Sequence, residues 1–294
     1  MKVRFIINPS SGRQSFQKFI DDVSLGLLDK GFEVSRFYTK GAEDALEETL
    51  RLCSSDIDYI VACGGDGTVN EVANGIGHSE CKKPLAIIPS GTVNDFSTII
   101  DMPKSVEAYV DMIQAGKTKQ VDMGLCGDKY FVNVAAGGFL TGVAHQVSTE
   151  SKTALGRTAY YVHGLREFLV DGIKPKRIKC TSEEYVGEDE AILFLISNTS
   201  SIGGFKKLAP LAEIEDGLLD VLIIRKTDMA NVVSIFLSLS TGKHINNKDV
   251  VYFKTKNVLL ESFEDIEVDM DGDFGGMLPM RFKVAEKALT IFTK

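Results

Sequence analysis

Gly64-Gly65-Asp66-Gly67-Thr68 follows the apolar run Tyr59-Ile60-Val61-Ala62-Cys63 and precedes a segment of helical texture, Val69 to Ile76. Glycines let backbone approach phosphate oxygens closely and accept positive φ. A helix N-terminus directly behind them offers unpaired N–H groups and the positive end of a dipole, and Thr68 adds a hydroxyl donor. These are the makings of a phosphate loop. Asp66 would repel a phosphate unless a divalent cation bridged the two, so an acid at this point suggests Mg²⁺. The spacing fits neither a Walker A loop nor the dinucleotide GxGxxG. The competing reading is a Gly-Asp-Gly turn with no ligand.

The elements that must position this loop alternate along the first part of the chain. Val3 to Ile7 is a short apolar run stopped by Asn8-Pro9-Ser10-Ser11-Gly12, which is loop chemistry. Phe16, Phe19, Ile20, Val23 and Leu27 have helical spacing, and Gly31 ends the pattern as a C-cap. Glu33 to Tyr38 reads as a strand, Ala42 to Cys53 as a helix, and Leu85 to Ile88 as a strand before Pro89-Ser90-Gly91-Thr92-Val93-Asn94-Asp95-Phe96. This βαβα order predicts a doubly wound α/β domain. From about Val121 strand-like segments dominate: Lys129 to Val134, Arg177 to Cys180, Glu190 to Ile196, Leu219 to Ile224, Val250 to Phe253, Asn257 to Leu260, Ile266 to Met270 and Arg281 to Val284. Helical stretches fall at Ala159 to Val170 and Met229 to Ser240. Many short strands with glycine-rich and acidic turns predict a mainly antiparallel β domain. The boundary is placed at Gln120 to Gly124.

At 294 residues the chain can bury a large core or two ordinary ones. Hydrophobic residues at 44% and charged residues at 25% are those of a globular protein, and a net charge of -8 argues against bulk nucleic-acid binding. No apolar run approaches the roughly 20 residues of a membrane span, and Met1 to Asn8 lacks the apolar stretch and cleavage site of a signal peptide. The expectation is a cytoplasmic protein that would reach a membrane substrate from the surface. Five dispersed cysteines without a CxxC pair fit reduced thiols, and the four histidines form no metal motif.

Gly64 to Thr68, followed by Gly91-Thr92-Val93-Asn94-Asp95-Phe96, resembles the diacylglycerol kinase catalytic domain shared by bacterial soluble lipid kinases, sphingosine kinases and ceramide kinases. The resemblance runs the full length: Asn8 to Gly12 matches the opening loop, Gly156-Arg157-Thr158-Ala159-Tyr160 a mid-chain helix start, and Asn198 to Pro210 a glycine-rich segment. Asp216-Gly217-Leu218-Leu219-Asp220 and Asp271-Gly272-Asp273 match its acidic motifs. The resemblance implies an N-terminal α/β domain like that of NAD kinases and 6-phosphofructokinases over residues 1–122, joined by residues 287–294. It implies a C-terminal antiparallel β-sandwich over residues 123–286, with the active site in the interdomain cleft.

It also implies roles. Asn8, Ser10, Ser11, Gly12 and Thr39 would lie near ATP, with Gly64, Gly65, Asp66, Gly67, Thr68, Asn70, Thr92 and Asn94 around its phosphates. Asp66 and Asp95 would support catalytic Mg²⁺, Asp95 reading otherwise as a helix cap after Asn94. Asp271 and Asp273 would be the catalytic carboxylates, one orienting the acceptor hydroxyl and one taking its proton. In a strand, positions two apart share a face, so both could aim at one acceptor; the alternative is a polar β-turn. The family more often has Asp-Gly-Glu here, so Asp273 is one methylene short. Asp216 would hold a structural Mg²⁺ with the Glu213 side chain and the Leu218 carbonyl, the alternative being a solvated acidic turn.

The implied activity is ATP-dependent phosphorylation of a lipid hydroxyl, diacylglycerol to phosphatidic acid by default. Its rivals are a soluble-metabolite kinase of the NAD type and a weakly active lipid-binding regulator of the same fold. The implied partner is a lipid at the membrane surface, on the inner face of the membrane, with room for a homodimer. Lys152, Arg157, Arg166, Lys174, Lys176, Arg177 and Lys179 crowd one part of the sequence and read as a membrane-docking patch or a solvated face.

Overall fold

The computed structural model describes residues 1–11, 14–79, 81–91, 93–138 and 174–294. Its elements begin with β1 (Lys2–Ile7), α1 (Gln14–Asp29), β2 (Glu33–Tyr38), α2 (Asp44–Cys53), β3 (Tyr59–Gly64), α3 (Asp66–His78) and β4 (Leu85–Pro89). They continue with α4 (Asp95–Ile99), α5 (Val106–Ala115), β5 (Thr118–Cys126), β6 (Lys129–Phe131) and β7 (Val134–Gly138). After the residues left undescribed come β8 (Lys176–Thr181), β9 (Val186–Ser197), β10 (Leu219–Arg225) and α6 (Met229–Ser238). The chain closes with β11 (Val250–Thr255), β12 (Asn257–Ser262), β13 (Glu267–Met270), β14 (Asp273–Met277) and β15 (Met280–Phe292). They sort into two units, Met1–Met123 with Glu286–Lys294, and Gly124–Ala285.

In the first unit β2, β1, β3 and β4 lie side by side in that order and all pair parallel. Strand β3 is buried along its whole length and β4 nearly so, as a parallel sheet covered by helices on both faces requires. At its C-terminal end β15 adds to this sheet through Ile291 opposite Leu85. Helix α1 stops where Gly31 takes φ 82°, a left-handed conformation that costs glycine little. Strand order 2-1-3-4 reverses direction of winding between β1 and β3. Ligands of open α/β sheets bind beyond the carboxyl ends of the strands at such a point.

In the second unit every strand pairing among the described residues is antiparallel. From Ala191 to Ser197 strand β9 is buried on both faces. Its Phe194 and Ile196 pack with Phe131, Val221, Ile223 and Phe282, while Leu193 and Leu195 pack with Leu222, Ile224, Val232 and Ile235. Successive strand residues point to opposite faces, so one strand serves two cores, and α6 covers the second of them. The strand expected over Lys129 to Val134 is broken in two at Val132-Asn133, where the backbone N–H groups turn to the Asp271 carboxylate. The helix expected from Ala159 to Val170, with the Gly156 to Tyr160 motif, lies outside the described residues.

Candidate active site

The loops after β1, β2, β3 and β4 converge at the carboxyl edge of the parallel sheet. Asn8 follows β1; its N–H donates to the Cys63 carbonyl at 2.9 Å, and its side-chain amide lies 3.4 Å from the Thr68 hydroxyl. The Asn8 side-chain oxygen accepts from Ser10 N–H at 3.0 Å, and Ser11 N–H and hydroxyl both donate to the Asn8 carbonyl. Thr39, buried after β2, donates its N–H to Ile7 at 2.9 Å. Ser90, after β4, donates its N–H to the Gly64 carbonyl at 2.9 Å and its hydroxyl to Ser11 at 2.8 Å. Four loops are thereby tied to one another by backbone and hydroxyl groups. Ser90 was missed in the sequence; the only signal was a hydroxyl directly after a strand.

Helix α3 begins earlier than the apolar pattern suggested. Asp66, Gly67 and Thr68 form its first turn, with Gly65 as N-cap and no side-chain cap. The N–H groups of a first helical turn lack intrahelical partners and can face an anion. The glycines are required by close approach: a Cβ on Gly91 would stand 2.9 Å from the Gly65 Cα and 2.8 Å from the Asn94 side-chain oxygen, and one on Gly64 would strike the Thr68 hydroxyl at 2.4 Å. Backbone of the β3–α3 loop therefore packs directly on backbone of the β4–α4 loop. Asn70 sits one turn further along α3, where the Asn74 amide donates to its side-chain oxygen at 3.0 Å. Gly12 and Thr92 lie outside the described residues.

Asp66 links these loops. Its Oδ2 accepts from the Asn94 N–H at 2.9 Å, and Asn94 holds φ 54° as the residue before α4, without a side-chain cap of its own. Asp66 thus caps α4 from a different loop. An acid in this glycine loop therefore has a structural use that requires no cation. Burial pushes the Asp66 carboxyl above the usual range, and the negative charge of buried Asp95 pushes it further; the N–H groups of Asn94 and Asp95 act in the opposite direction.

In the second unit, Asp271-Gly272 is the two-residue turn joining β13 to β14, with φ 53° and 100° at its two positions and Met270 paired with Asp273. Positive φ at both turn positions suits the right-handed twist of a hairpin, and Asp-Gly is a preferred sequence for it. The expectation that Asp271 and Asp273 share one face of a strand is therefore corrected. The strand ends at Met270, and the two acids lie on either side of a reversal. The Asp271 carboxylate accepts from three backbone N–H groups, Val132 at 2.6 Å and Asn133 and Val134 at 2.9 Å each. These bonds break the Lys129 to Val134 strand. The Asn198 amide, which opens the glycine-rich segment, donates to the Val132 carbonyl at 3.0 Å and holds the same link from the other side. Asp273 is exposed, and its side chain makes no hydrogen bond or ion pair among the described residues.

Asp216 caps its own turn, accepting from Leu218 N–H at 3.0 Å. Its other oxygen is bonded to the Lys254 ammonium, which also lies 3.7 Å from Asp220. The Tyr252 hydroxyl donates to Asp220. Burial pushes the Asp220 carboxyl up to about 6, against the pull of Tyr252 and Lys254. Glu213 adds a further negative charge near Lys254. Among the described residues no three acids, histidines or cysteines gather closely enough to hold a metal. The residues around Asp216 do not fit a dedicated Mg²⁺ site, because an ammonium already supplies the positive charge. Lys254 is 38 residues from Asp216, and nothing in the local sequence signals the pairing.

We expect the response of thermal stability to a chelator to be the same in wild type and Asp216→Ala, and Lys254→Met to lower stability by about 1–3 kcal/mol, the cost of leaving a buried polar group without its partner. Asp220, with a folded-state pKa above its unfolded value, binds more protons when native. The loss in Lys254→Met should therefore deepen as pH rises through about 6. Thermal melts with and without chelator at pH 5 and 7 decide it; a chelator-induced drop that Asp216→Ala abolishes would establish a metal there.

The residues read as a docking patch are largely neutralised where described: Lys176 pairs with Glu264 at 2.6 Å, Arg177 with Glu188, and Lys179 with Glu261 at 3.0 Å. Lys152, Arg157 and Arg166 lie outside the described residues. No helix among the described residues is long and apolar enough to cross a membrane.

Comparison with known proteins finds two family matches along the chain. Residues 2–126 match the diacylglycerol kinase catalytic domain, and residues 133–293 match the YegS C-terminal NAD kinase beta sandwich-like domain. A Staphylococcus epidermidis protein named diacylglycerol kinase is 36% identical over 292 residues, covering 99% of this chain and 92% of its own. A Staphylococcus haemolyticus protein of the same name is 37% identical over 290 residues, covering 99% and 87%. A crystal structure of a diacylglycerol kinase from Bacillus anthracis Sterne matches with TM-score 0.76 at 25% identity, over 100% of this chain and 97% of that one.

Proposed function

The chain belongs to the diacylglycerol kinase catalytic-domain family, and from that premise we propose that it transfers the γ-phosphoryl group of ATP to a lipid hydroxyl, with diacylglycerol as acceptor and phosphatidic acid as product. The observation that carries this reading is the full-length similarity to diacylglycerol kinases combined with the linked glycine loops at the carboxyl edge of the parallel sheet. Phosphoryl transfer asks a protein for positioning and charge neutralisation more than for covalent chemistry.

In this reading the N-terminal unit holds the nucleotide. The first-turn N–H groups of α3 and the Thr68 hydroxyl face the phosphates, and the close packing of Gly65 on Gly91 leaves backbone free to approach them. Asn8, Ser10, Ser11 and Thr39 line the same edge. Asp66 and Asp95 are neighbouring carboxylates, and the charge of Asp95 raises the cost of ionising Asp66, a donor set that suits a divalent cation. Mg²⁺ bound there would neutralise charge developing on the phosphates.

The C-terminal unit supplies the carboxylate that receives the acceptor proton. The free, exposed Asp273 is the better candidate, since both oxygens of Asp271 are committed to backbone N–H groups. Asp271 then positions the turn from which Asp273 projects. The protein works from the cytoplasmic side as a peripheral enzyme.

Incubation with labelled ATP and Mg²⁺, offering short-chain diacylglycerol in one arm and NAD in the other, tests the assignment. Label in phosphatidic acid is the expected result. Label in NAD alone would replace the reading with a metabolite kinase, and label in neither would favour a non-catalytic lipid-binding protein.

A further inference from the structure

Helix α6 has no charged residue from Met229 to Ser238 and is apolar on both faces. Val232, Ile235 and the following Leu239 turn inward and pack with Leu193, Leu195 and Leu222. Met229, Val233 and Leu237, spaced four residues apart on the opposite face, are 45%, 40% and 74% exposed. Ala230 and Ser234, also exposed, complete that face without adding a charge. A helix that covers a sheet ordinarily turns charged residues to water, and an exposed apolar stripe marks a surface meant for a partner.

Basic residues collect at one end of the stripe. Beyond α6 the chain turns at Gly242, with φ 76°, and exposed Lys243 follows. Lys207 lies against that turn, its Cβ 3.6 Å from where a Cβ on Gly242 would stand, and Lys206 is adjacent in sequence. Lys206, Lys207 and Lys243 are exposed and make no ion pair among the described residues, in a chain whose net charge is -8. The acid at the other end, Asp228, is occupied in capping α6, accepting from Asn231 N–H at 2.9 Å.

We propose that the outward face of α6, with Lys206, Lys207 and Lys243, docks this protein on an anionic lipid bilayer. The inference rests on the lipid-acceptor reading above and names the surface that would deliver the enzyme to its substrate. Apolar side chains enter the headgroup–acyl boundary while nearby cations meet anionic headgroups, the combination that holds a helix in a membrane interface. A second copy of the chain is the less favoured occupant. A two-fold contact sets one patch against itself, which would bring unpaired lysines toward their counterparts.

Flotation of the full chain with phosphatidylcholine vesicles, with and without phosphatidylglycerol, tests the proposal independently of catalysis. Binding is expected only with the anionic lipid and should weaken at high salt. The triple variant Lys206→Glu, Lys207→Glu, Lys243→Glu should bind about tenfold more weakly or worse, and Val233→Ser with Leu237→Ser should also lose binding. Both variants should keep wild-type turnover of dispersed short-chain diacylglycerol and lose turnover of vesicle-embedded substrate. Undiminished flotation of both variants would overturn the proposal. So would a wild-type dimer that the Val233→Ser, Leu237→Ser change converts to monomer. Absence of turnover on dispersed diacylglycerol would instead count against the lipid-kinase reading, whatever the vesicles show.

Discussion

Replacing Asp273 by Asn is expected to lower kcat by about 10²-fold or more while leaving the Kd for ATP little changed. The carboxylate is exposed at the first position of β14 and is engaged by no other side chain among the described residues, so its loss is expected to remove a proton acceptor and little structure. Asp273→Glu should retain or raise activity, because it restores the reach that the family more often has. Asp271→Asn should behave differently. It replaces one oxygen of a carboxylate that accepts from Val132, Asn133 and Val134 with an amide that cannot accept. The expected result is a fall in thermal stability of about 1–3 kcal/mol, with any loss of kcat following from a displaced turn. Measuring kcat, Kd and Tm for the three variants separates the proton acceptor from its support. Full activity in both Asn variants would show that neither carboxylate takes the proton and leave Asp271-Gly272 as a hairpin turn only.

The second large effect is expected at Asp66. Its carboxylate caps α4 by accepting from Asn94 N–H and would also hold Mg²⁺ beside Asp95. The two roles are separable. Asp66→Ala removes both and should cost about 1 kcal/mol of stability, as loss of a helix cap does. Asp66→Asn keeps an oxygen for the Asn94 N–H and should melt near wild type. Both should lose turnover by about three orders of magnitude, since charge neutralisation by the metal is worth several kcal/mol and each 1.36 kcal/mol is tenfold in rate. Apparent Tm against pH, without Mg²⁺, adds a check. A carboxyl held above its unfolded value favours the native state at low pH, and that contribution fades as pH rises; Asp66→Asn should remove it. Near-normal turnover of Asp66→Asn at saturating Mg²⁺ would leave Asp66 as a cap alone.

The acids at Asp66 and at Asp216 meet different electrostatic surroundings. Burial and the charge of Asp95 raise the Asp66 carboxyl, while the N–H groups of Asn94 and Asp95 act in the opposite direction. At Asp216 the same local wording, an acid two residues before Leu218 in an acidic stretch, ends in an ion pair with Lys254. Short motifs carry the residues that could bind a metal but not the distant side chain that competes for them.

The sequence by itself determined the family, the α/β and β textures of the two parts, and the glycine loop at Gly64 to Thr68 between a strand and a helix. Those signals are local: an apolar run four to six residues long, glycines where a loop must admit phosphate, and helical spacing behind them. Tertiary structure decided what the same residues do to one another. It brought Ser90 to Ser11 and Asp66 to Asn94 across separate loops, because parallel strands place their carboxyl ends side by side whatever their separation in sequence. It committed Asp271 to the amides of Val132 to Val134 and left Asp273 exposed, without a side-chain partner among the described residues, a distinction that two identical carboxylates cannot express in sequence. It also turned one apolar face of α6 inward and the other outward, since only a packed sheet determines which side of an uncharged helix is covered.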